Sequence, residues 1–255
     1  MNLQLASKIT RGGGHTLSFL VRLLPRPRRF RAAIWIARWA APMLRPTRIV
    51  RERLAMRVET VQEIVTYHVL DVLTRHGVTY DPILRVIGAE HLHEALANGR
   101  GVLMVAPHAM LSRLILGLLA EMRIEANGVA SAPTQVLGTG AAIRVIEPSP
   151  TFLLTIREIL RGNGVVLAMV DRDVVTSRST FEVATDRGPL VIANALMQVA
   201  FRTDASVVCF AAHLKRGEVI MTLDAPSSTA HRSAEGITAA VVAFMQKHVA
   251  ALQSR

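Results

Sequence analysis

Two stretches of this chain set reactive side chains where a buried strand runs out. In Gly101-Val-Leu-Met-Val-Ala-Pro-His108, an apolar run stops at Pro107 and His108 follows at the expected mouth of the next helix. In Val165-Val-Leu-Ala-Met-Val-Asp171-Arg172-Asp173, a second apolar run ends in two carboxylates and a guanidinium. Ligands of open α/β sheets bind in the crevice beyond the carboxyl ends of the strands, so both stretches point to one sheet edge. A helix N-terminus disfavours imidazolium, which would keep His108 neutral near pH 7 and able to accept a proton. The same histidine could equally do no more than cap its helix. Asp171, Arg172 and Asp173 are costly beside an apolar strand unless they are paired or functional, and a structural ion pair would satisfy that rule as well.

The elements that must position these groups are legible as a pattern. β-branched runs predict strands at Ile83–Ile87, Gly101–Ala106, Gly128–Ser131, Arg144–Ile146, Val165–Val170, Thr180–Ala184, Ser206–Ala211 and Glu218–Leu223. Between them, helical spacing predicts helices at Glu90–Ala97, Ala109–Met122, Pro150–Leu160, Leu190–Arg202 and Ala234–Leu252. Ser149 is the expected N-cap of the third, with Pro150 at its first position and Gly162 past its end. Strands alternating with helices imply an α/β fold, a mostly parallel sheet covered by helices on both faces. Upstream, Arg48–His76 reads as one long helix, 29–41 as a short one interrupted by Pro42 and Pro46, and 1–28 as mobile or loosely helical.

Charge divides the chain. Residues 1–57 carry thirteen Lys/Arg against Glu52 alone, a net +12, whereas the whole chain is +11. The expected organisation is therefore a basic arm over 1–47, the membrane-associating segment, and an α/β domain over 48–255. Arg31, Arg38 and Arg45 recur every seven residues, with Trp35 and Trp39 beside that stripe. Tryptophan next to arginine at helical spacing suits a helix lying at a membrane interface; the same pattern suits a helix packed on its own domain. Hydrophobic residues make up 51% of the chain and aromatics 4%, and the mean hydropathy is +0.33, which hints at apolar surface needing lipid or acyl chains. No segment reads as transmembrane, and no secretory leader precedes the Pro25–Arg31 block, so the expected location is cytoplasmic, peripheral on the inner face of the cell membrane. An anionic lipid surface or an acidic carrier protein fits the arm; nucleic acid fits it less well.

Cys209, the single cysteine, sits in an apolar run and reads as a buried thiol rather than a nucleophile. His91 and His93 read as solvent-exposed. The chain has no phosphate-binding glycine loop of the Walker type, no paired-cysteine zinc spacing and no Gly-x-Ser-x-Gly elbow, so no metal site is expected.

In this order and separation, these stretches resemble the lysophospholipid and glycerolipid acyltransferase superfamily, above all the bacterial lipid A acyltransferases of lauroyl and myristoyl type. The likeness runs from about Arg48 to Pro226. It rests on Gly99-Arg100-Gly101, Pro107-His108, Ile156-Arg157 with Leu160-Arg161-Gly162, Asp171-Arg172-Asp173, Phe181-Glu182-Val183 and the strand Ala205–Phe210. The resemblance implies transfer of a fatty acyl chain from a thioester of acyl carrier protein or coenzyme A to a hydroxyl of a lipid or glycolipid, with no other cofactor. It makes His108 the base that deprotonates the hydroxyl, and Arg157 and Arg172 phosphate-binding groups, although each could also be a surface ion-pair partner.

One departure bears on mechanism. The family follows its histidine, after four residues, with Asp or Glu, which orients the ring; here Arg113 stands in that place. Loss of the orienting carboxylate of a serine triad lowers the rate about 10⁴-fold. Either another acid substitutes, for which Asp171 and then Asp173 are the candidates while Arg113 turns to substrate phosphate, or the chain is a non-catalytic lipid- or carrier-binding member of the fold.

Overall fold

The computed structural model describes residues 14–44, 60–131, 135–139, 143–170, 180–183, 190–226 and 233–250. A helix over 14–22 (α1) leads into α2 (Arg26–Leu44), and after a gap in the description α3 (Val61–Arg75) leads to strand β1 (Leu84–Ile87). Then come α4 (Ala89–Ala97), β2 (Val102–Ala106), a 3₁₀ turn at Met110–Leu114, α5 (Ile115–Glu121), β3 (Ala126–Val129), β4 (Arg144–Ile146), α6 (Phe152–Arg161) and β5 (Val165–Met169). The hairpin β6 (Thr180–Val183) and β7 (Leu190–Ala193), helix α7 (Ala195–Thr203), β8 (Ser206–Lys215), β9 (Glu218–Asp224) and α8 (Ala234–Ala250) complete the order.

The main sheet runs β1-β9-β8-β2-β5-β3-β4. From β8 to β4 every pairing is parallel; β9 turns back antiparallel to β8, and β1 lies parallel to β9. The expected α/β fold, with its mostly parallel sheet covered on both faces, is therefore the observed one. Side chains alternate across strands of period two, and the two faces sort accordingly. Met104, Ala106, Leu167, Val208 and Phe210 join α1 to α5 in one core, whereas Leu103, Val105, Val166, Val207 and Cys209 pack with α6, α7 and α8 in the other. β2 is buried at every position, as a central parallel strand should be.

Glycine at 101 has a packing cause. A Cβ there would stand 2.2 Å from the Leu160 carbonyl oxygen, so α6 comes this near to β2 only across a glycine. Next to it, Arg100 pairs with Asp204 at 2.7 Å.

Several elements depart from the sequence reading. The segment 14–22 is helical rather than loose, and it is anchored: Val21 is buried and Arg22 donates to the His76 carbonyl. Pro42 lies inside α2 instead of ending it; it cannot donate to the Arg38 carbonyl, and the helix runs only two residues further, to Leu44. A capping box at Thr60 and Glu63 starts α3, with each side chain bonded to the other's backbone amide; Arg48–Glu59 of the expected long helix lies outside the described residues. Helix α6 begins at Phe152 behind Thr151, so Ser149 does not cap it and Pro150 stays outside. The expected helix from Leu190 is strand β7 followed by α7, because the β-branched run Leu190–Ala193 pairs with β6.

The largest departure is the length of β8. It extends to Lys215, far beyond Val105↔Cys209, the last β2–β8 pair. Past that point β2 has ended, and the β8 amides on that side need other acceptors. Ser112 Oγ accepts from the Ala212 amide at 3.3 Å, and Glu63 Oε1 accepts from the Leu214 amide at 2.8 Å. Two side chains thus continue the work of a missing strand. Glu63→Ala is expected to lower the unfolding free energy by about 3–5 kcal/mol, and Ser112→Ala, which loses one long bond, by about 1 kcal/mol. Urea denaturation of the two variants checks the ranking.

Candidate functional site

The site is built where β2 stops and β8 continues. Pro107 is buried, His108 is half-buried, and Ala109 is buried again, so the histidine sits at a break in an otherwise closed core. The expected helix Ala109–Met122 is instead the 3₁₀ turn Met110–Leu114 followed by the seven-residue α5. Five residues of 3₁₀ geometry align fewer peptide dipoles than a full helix, so the helix-terminus argument for a neutral His108 loses its premise.

The turn after His108 splits its side chains between two tasks. Ser112 is fully buried and bonds β8, as above. Arg113, half-buried, donates to the hydroxyl of Tyr67 on α3, and its guanidinium carbon lies 5.5 Å from the Tyr67 ring centroid. Tyr67 and Glu63 are four residues apart and share a face of α3, so one helix holds both the arginine after His108 and the overhang of β8. Arg113 therefore has an internal partner, and a guanidinium has five donors, which leaves capacity for an anion.

Among the described residues, Glu63 is the buried carboxylate. Its Oε2 accepts from the Thr60 amide at 2.7 Å and the Thr60 hydroxyl at 2.9 Å; its Oε1 accepts from Leu214 and stands 3.6 Å from Nδ1 of His213. Burial, the largest single influence, would raise its pKa. The His213 contact and the amides of Thr60 and Leu214 outweigh that and hold the carboxyl below its ordinary value. His213 stacks on His248 of α8, with centroids 5.8 Å apart and planes 6° from parallel, and Phe244 covers His248 at 4.2 Å. Burial first, then the nearby His213 and Lys247, push His248 down to about 4.

The groups named from sequence are distributed unevenly. His108 follows the end of β2, and Arg113, in the turn after it, reaches Tyr67 on α3. Arg157 sits midway along α6, in the layer on the other face, between the buried Ile156 and the exposed Glu158. Asp171, Arg172 and Asp173 lie outside the described residues. What is described is their approach: β5 pairs with β2 through Ala106↔Met169, and the Val170 amide donates to the Ala106 carbonyl at 3.1 Å. Cys209 is 2% exposed, and burial pushes its thiol well up, which agrees with a structural role.

Sequence reading missed Glu63, Tyr67, Ser112 and His213. For Glu63 a signal existed, since Thr60-Val-Gln-Glu63 is a capping-box pattern directly before an apolar run. For His213 the signal was weak, because a histidine after Ala211-Ala212 reads as the end of a strand.

Compared with protein-family models and with curated proteins, the chain matches none.

Two buried titrating groups among the described residues set a pH dependence. His248 has a folded pKa below its unfolded one, so its stabilising effect is complete above about pH 6.5 and is lost as pH falls toward 4. Glu63, also depressed, contributes above about pH 4.5 and loses its effect as pH falls through its folded pKa. Unfolding free energy should drop between pH 7 and pH 5, with His248→Phe removing about 2 kcal/mol of that decline. A second loss, below pH 4.5, should be absent from Glu63→Gln. Chemical denaturation across pH measures both.

Proposed function

We propose that the chain is an O-acyltransferase that moves a fatty acyl group from a thioester of acyl carrier protein or coenzyme A to a hydroxyl of a lipid or glycolipid at an anionic membrane surface. The single observation that carries this reading is the placement of His108 at the carboxyl end of the fully buried strand β2, directly beside the end of β5 that leads to Asp171. In such a crevice a bound hydroxyl and a thioester carbonyl can be held together, and positioning plus a base suffices for direct attack. His108 takes the hydroxyl proton as the oxygen attacks the carbonyl carbon, and the thiol leaves protonated. Asp171 orients the imidazole and offsets its transient charge, and Asp173, Arg172 and Arg157 serve substrate binding.

The bilayer contact is assigned to the N-terminal helices. Trp35, Trp39 and Met43 on α2 are 63%, 66% and 81% exposed. Among the described residues no helix is long and apolar enough to cross a membrane; the contact proposed is peripheral, on the cytoplasmic face.

A second reading has its own support. Arg113 stands where the resembled family has a carboxylate, and it is engaged by Tyr67. A chain whose base has no acid to orient it would bind lipid or carrier without transferring the acyl group.

Single-turnover transfer from an acyl thioester to a lipid acceptor separates the two. For the enzyme, His108→Ala and Asp171→Asn are each expected to lower the rate at least 100-fold. Tyr67→Phe, which frees Arg113, should change acceptor affinity more than rate. For the binding protein, wild type and His108→Ala would show the same background. A fully active Asp171→Asn would remove Asp171 from the mechanism.

A further inference from the structure

Between α2 and the turn of the β8–β9 hairpin lies an open groove of about 710 Å³, a size suited to a lipid headgroup. Arg31, Trp35 and Arg38 of α2 form one wall, Arg216 at the hairpin turn stands opposite, and Leu214 and the buried Phe30 line the floor. Arg31 and Arg38 are seven residues apart, nearly two full turns, with Trp35 between them on the same face. Glu218 is the one acid among the lining residues, which leaves the groove cationic.

These arginines differ from their neighbours in what they hold. Arg26 pairs with Asp81 at 2.8 Å, Arg22 donates to the His76 carbonyl, and Arg29 donates to the carbonyls of Leu24, Arg22 and Thr79. Those three fasten the arm to the domain. Among the described residues, Arg31, Arg38 and Arg216 have no such partner. The hairpin turn adds a second sign. Arg216 and Gly217 both have positive φ, 52° and 82°, the geometry of a two-residue turn that favours Asn, Asp or Gly at the first position. An arginine held there carries backbone strain at the mouth of the groove, and such strain concentrates at ligand sites.

We propose that this groove binds the phosphate of an anionic membrane phospholipid, gripped by Arg31, Arg38 and Arg216. The proposal rests on the membrane-surface reading above and gives it a defined site. Guanidinium groups match phosphate oxygens in charge and in forked geometry. The occupant is a lipid rather than a free phosphate because the exposed Trp35 stands in the groove and Trp39 and Met43 continue the exposed face of α2 away from it. That is an aromatic and apolar border at headgroup depth. The groove also opens at the sheet edge that carries His108. Leu214 lies five residues past Cys209, the partner of Val105, or on the order of 15 Å along the strand. A phospholipid held here turns that edge toward the bilayer.

The test uses the full chain and vesicles of phosphatidylcholine with and without phosphatidylglycerol. Wild type is expected to partition to the anionic vesicles. Arg31→Ser, Arg38→Ser and Arg216→Ser should each weaken partition tenfold or more, against at most about fivefold for Arg28→Ser, an exposed charge of α2 outside the groove. All four positions are exposed, and unchanged melting temperatures verify folding. In Trp39→Phe, which leaves Trp35 as the only tryptophan, emission should shift to the blue on binding, and Arg216→Ser in that background should abolish the shift. Equal losses for Arg28 and the groove arginines would overturn the groove while leaving membrane association standing. Displacement from vesicles by free glycerol 3-phosphate at low concentration would overturn the lipid as occupant. Wild type that binds no anionic vesicle would overturn the membrane reading and the groove with it.

Discussion

The candidate site depends on one buried carboxylate. Strand β8 runs past the end of its neighbour β2, and a strand that loses its partner presents bare amides to the core. Glu63 answers that need by accepting from the Leu214 amide while it closes the capping box of α3 and faces His213. A carboxylate 2% exposed would be prohibitively costly if unpaired, and the His213 contact and the amides of Thr60 and Leu214 hold its pKa below the ordinary value against the desolvation. The start of α3, the overhang of β8 and the position of Tyr67, hence of Arg113, are thereby tied to a single group.

That tie explains which parts of the structure the sequence announces and which it does not. The buried strands β2 and β5 are plain as apolar runs, and their ends lie side by side because both are central parallel strands. Local pattern carries such elements. The overhang of β8 is different: Ala212-His213-Leu214-Lys215 alternates apolar and polar side chains, but four residues are too few to announce a strand, and they are extended because β9 pairs with them and because Ser112 and Glu63, distant in sequence, accept their amides. The 3₁₀ turn after His108 has the same cause. Ala109–Met122 has a good helical pattern, but the bond from Ser112 to β8 and the bond from Arg113 to Tyr67 hold the first five residues in a tighter winding. Tertiary contacts that override local preference concentrate at this sheet edge, which is where functional sites are expected to break local rules.

The N-terminal segment resolves an ambiguity that spacing alone left open. A helix with tryptophan and arginine at intervals of three and four could pack on its domain or lie on lipid. On α2, Phe30, Ala33, Ile34, Ala37 and Ala41 are buried in the core shared with α3, and Arg31, Trp35, Arg38, Trp39 and Met43 are exposed on the opposite side. The 100° step between helical residues separates the two sets cleanly. Packing therefore does not compete with a surface role. It fixes the orientation of the exposed face relative to the sheet, and a bilayer contact made through that face would inherit this orientation.

The same logic bears on Arg113, which stands where the resembled acyltransferases have a carboxylate. An acid at position 113, after the four residues that follow His108, would come from the same turn as the imidazole it orients. Arginine cannot accept a ring N–H, and near His108 it would oppose the imidazolium formed during proton transfer. Tyr67 moderates that opposition, because a hydroxyl that accepts from the guanidinium draws it toward α3. The 3₁₀ winding contributes too, since at three residues per turn Met110 and Arg113 fall on one line while Ser112 is directed to β8. Arg113 is thus part of the brace between α3 and the sheet edge. If His108 acts as the proposed base, an acid serving it would come from another element, and the chain that leaves β5 at Met169, beside Ala106, carries two within its next four residues, Asp171 and Asp173.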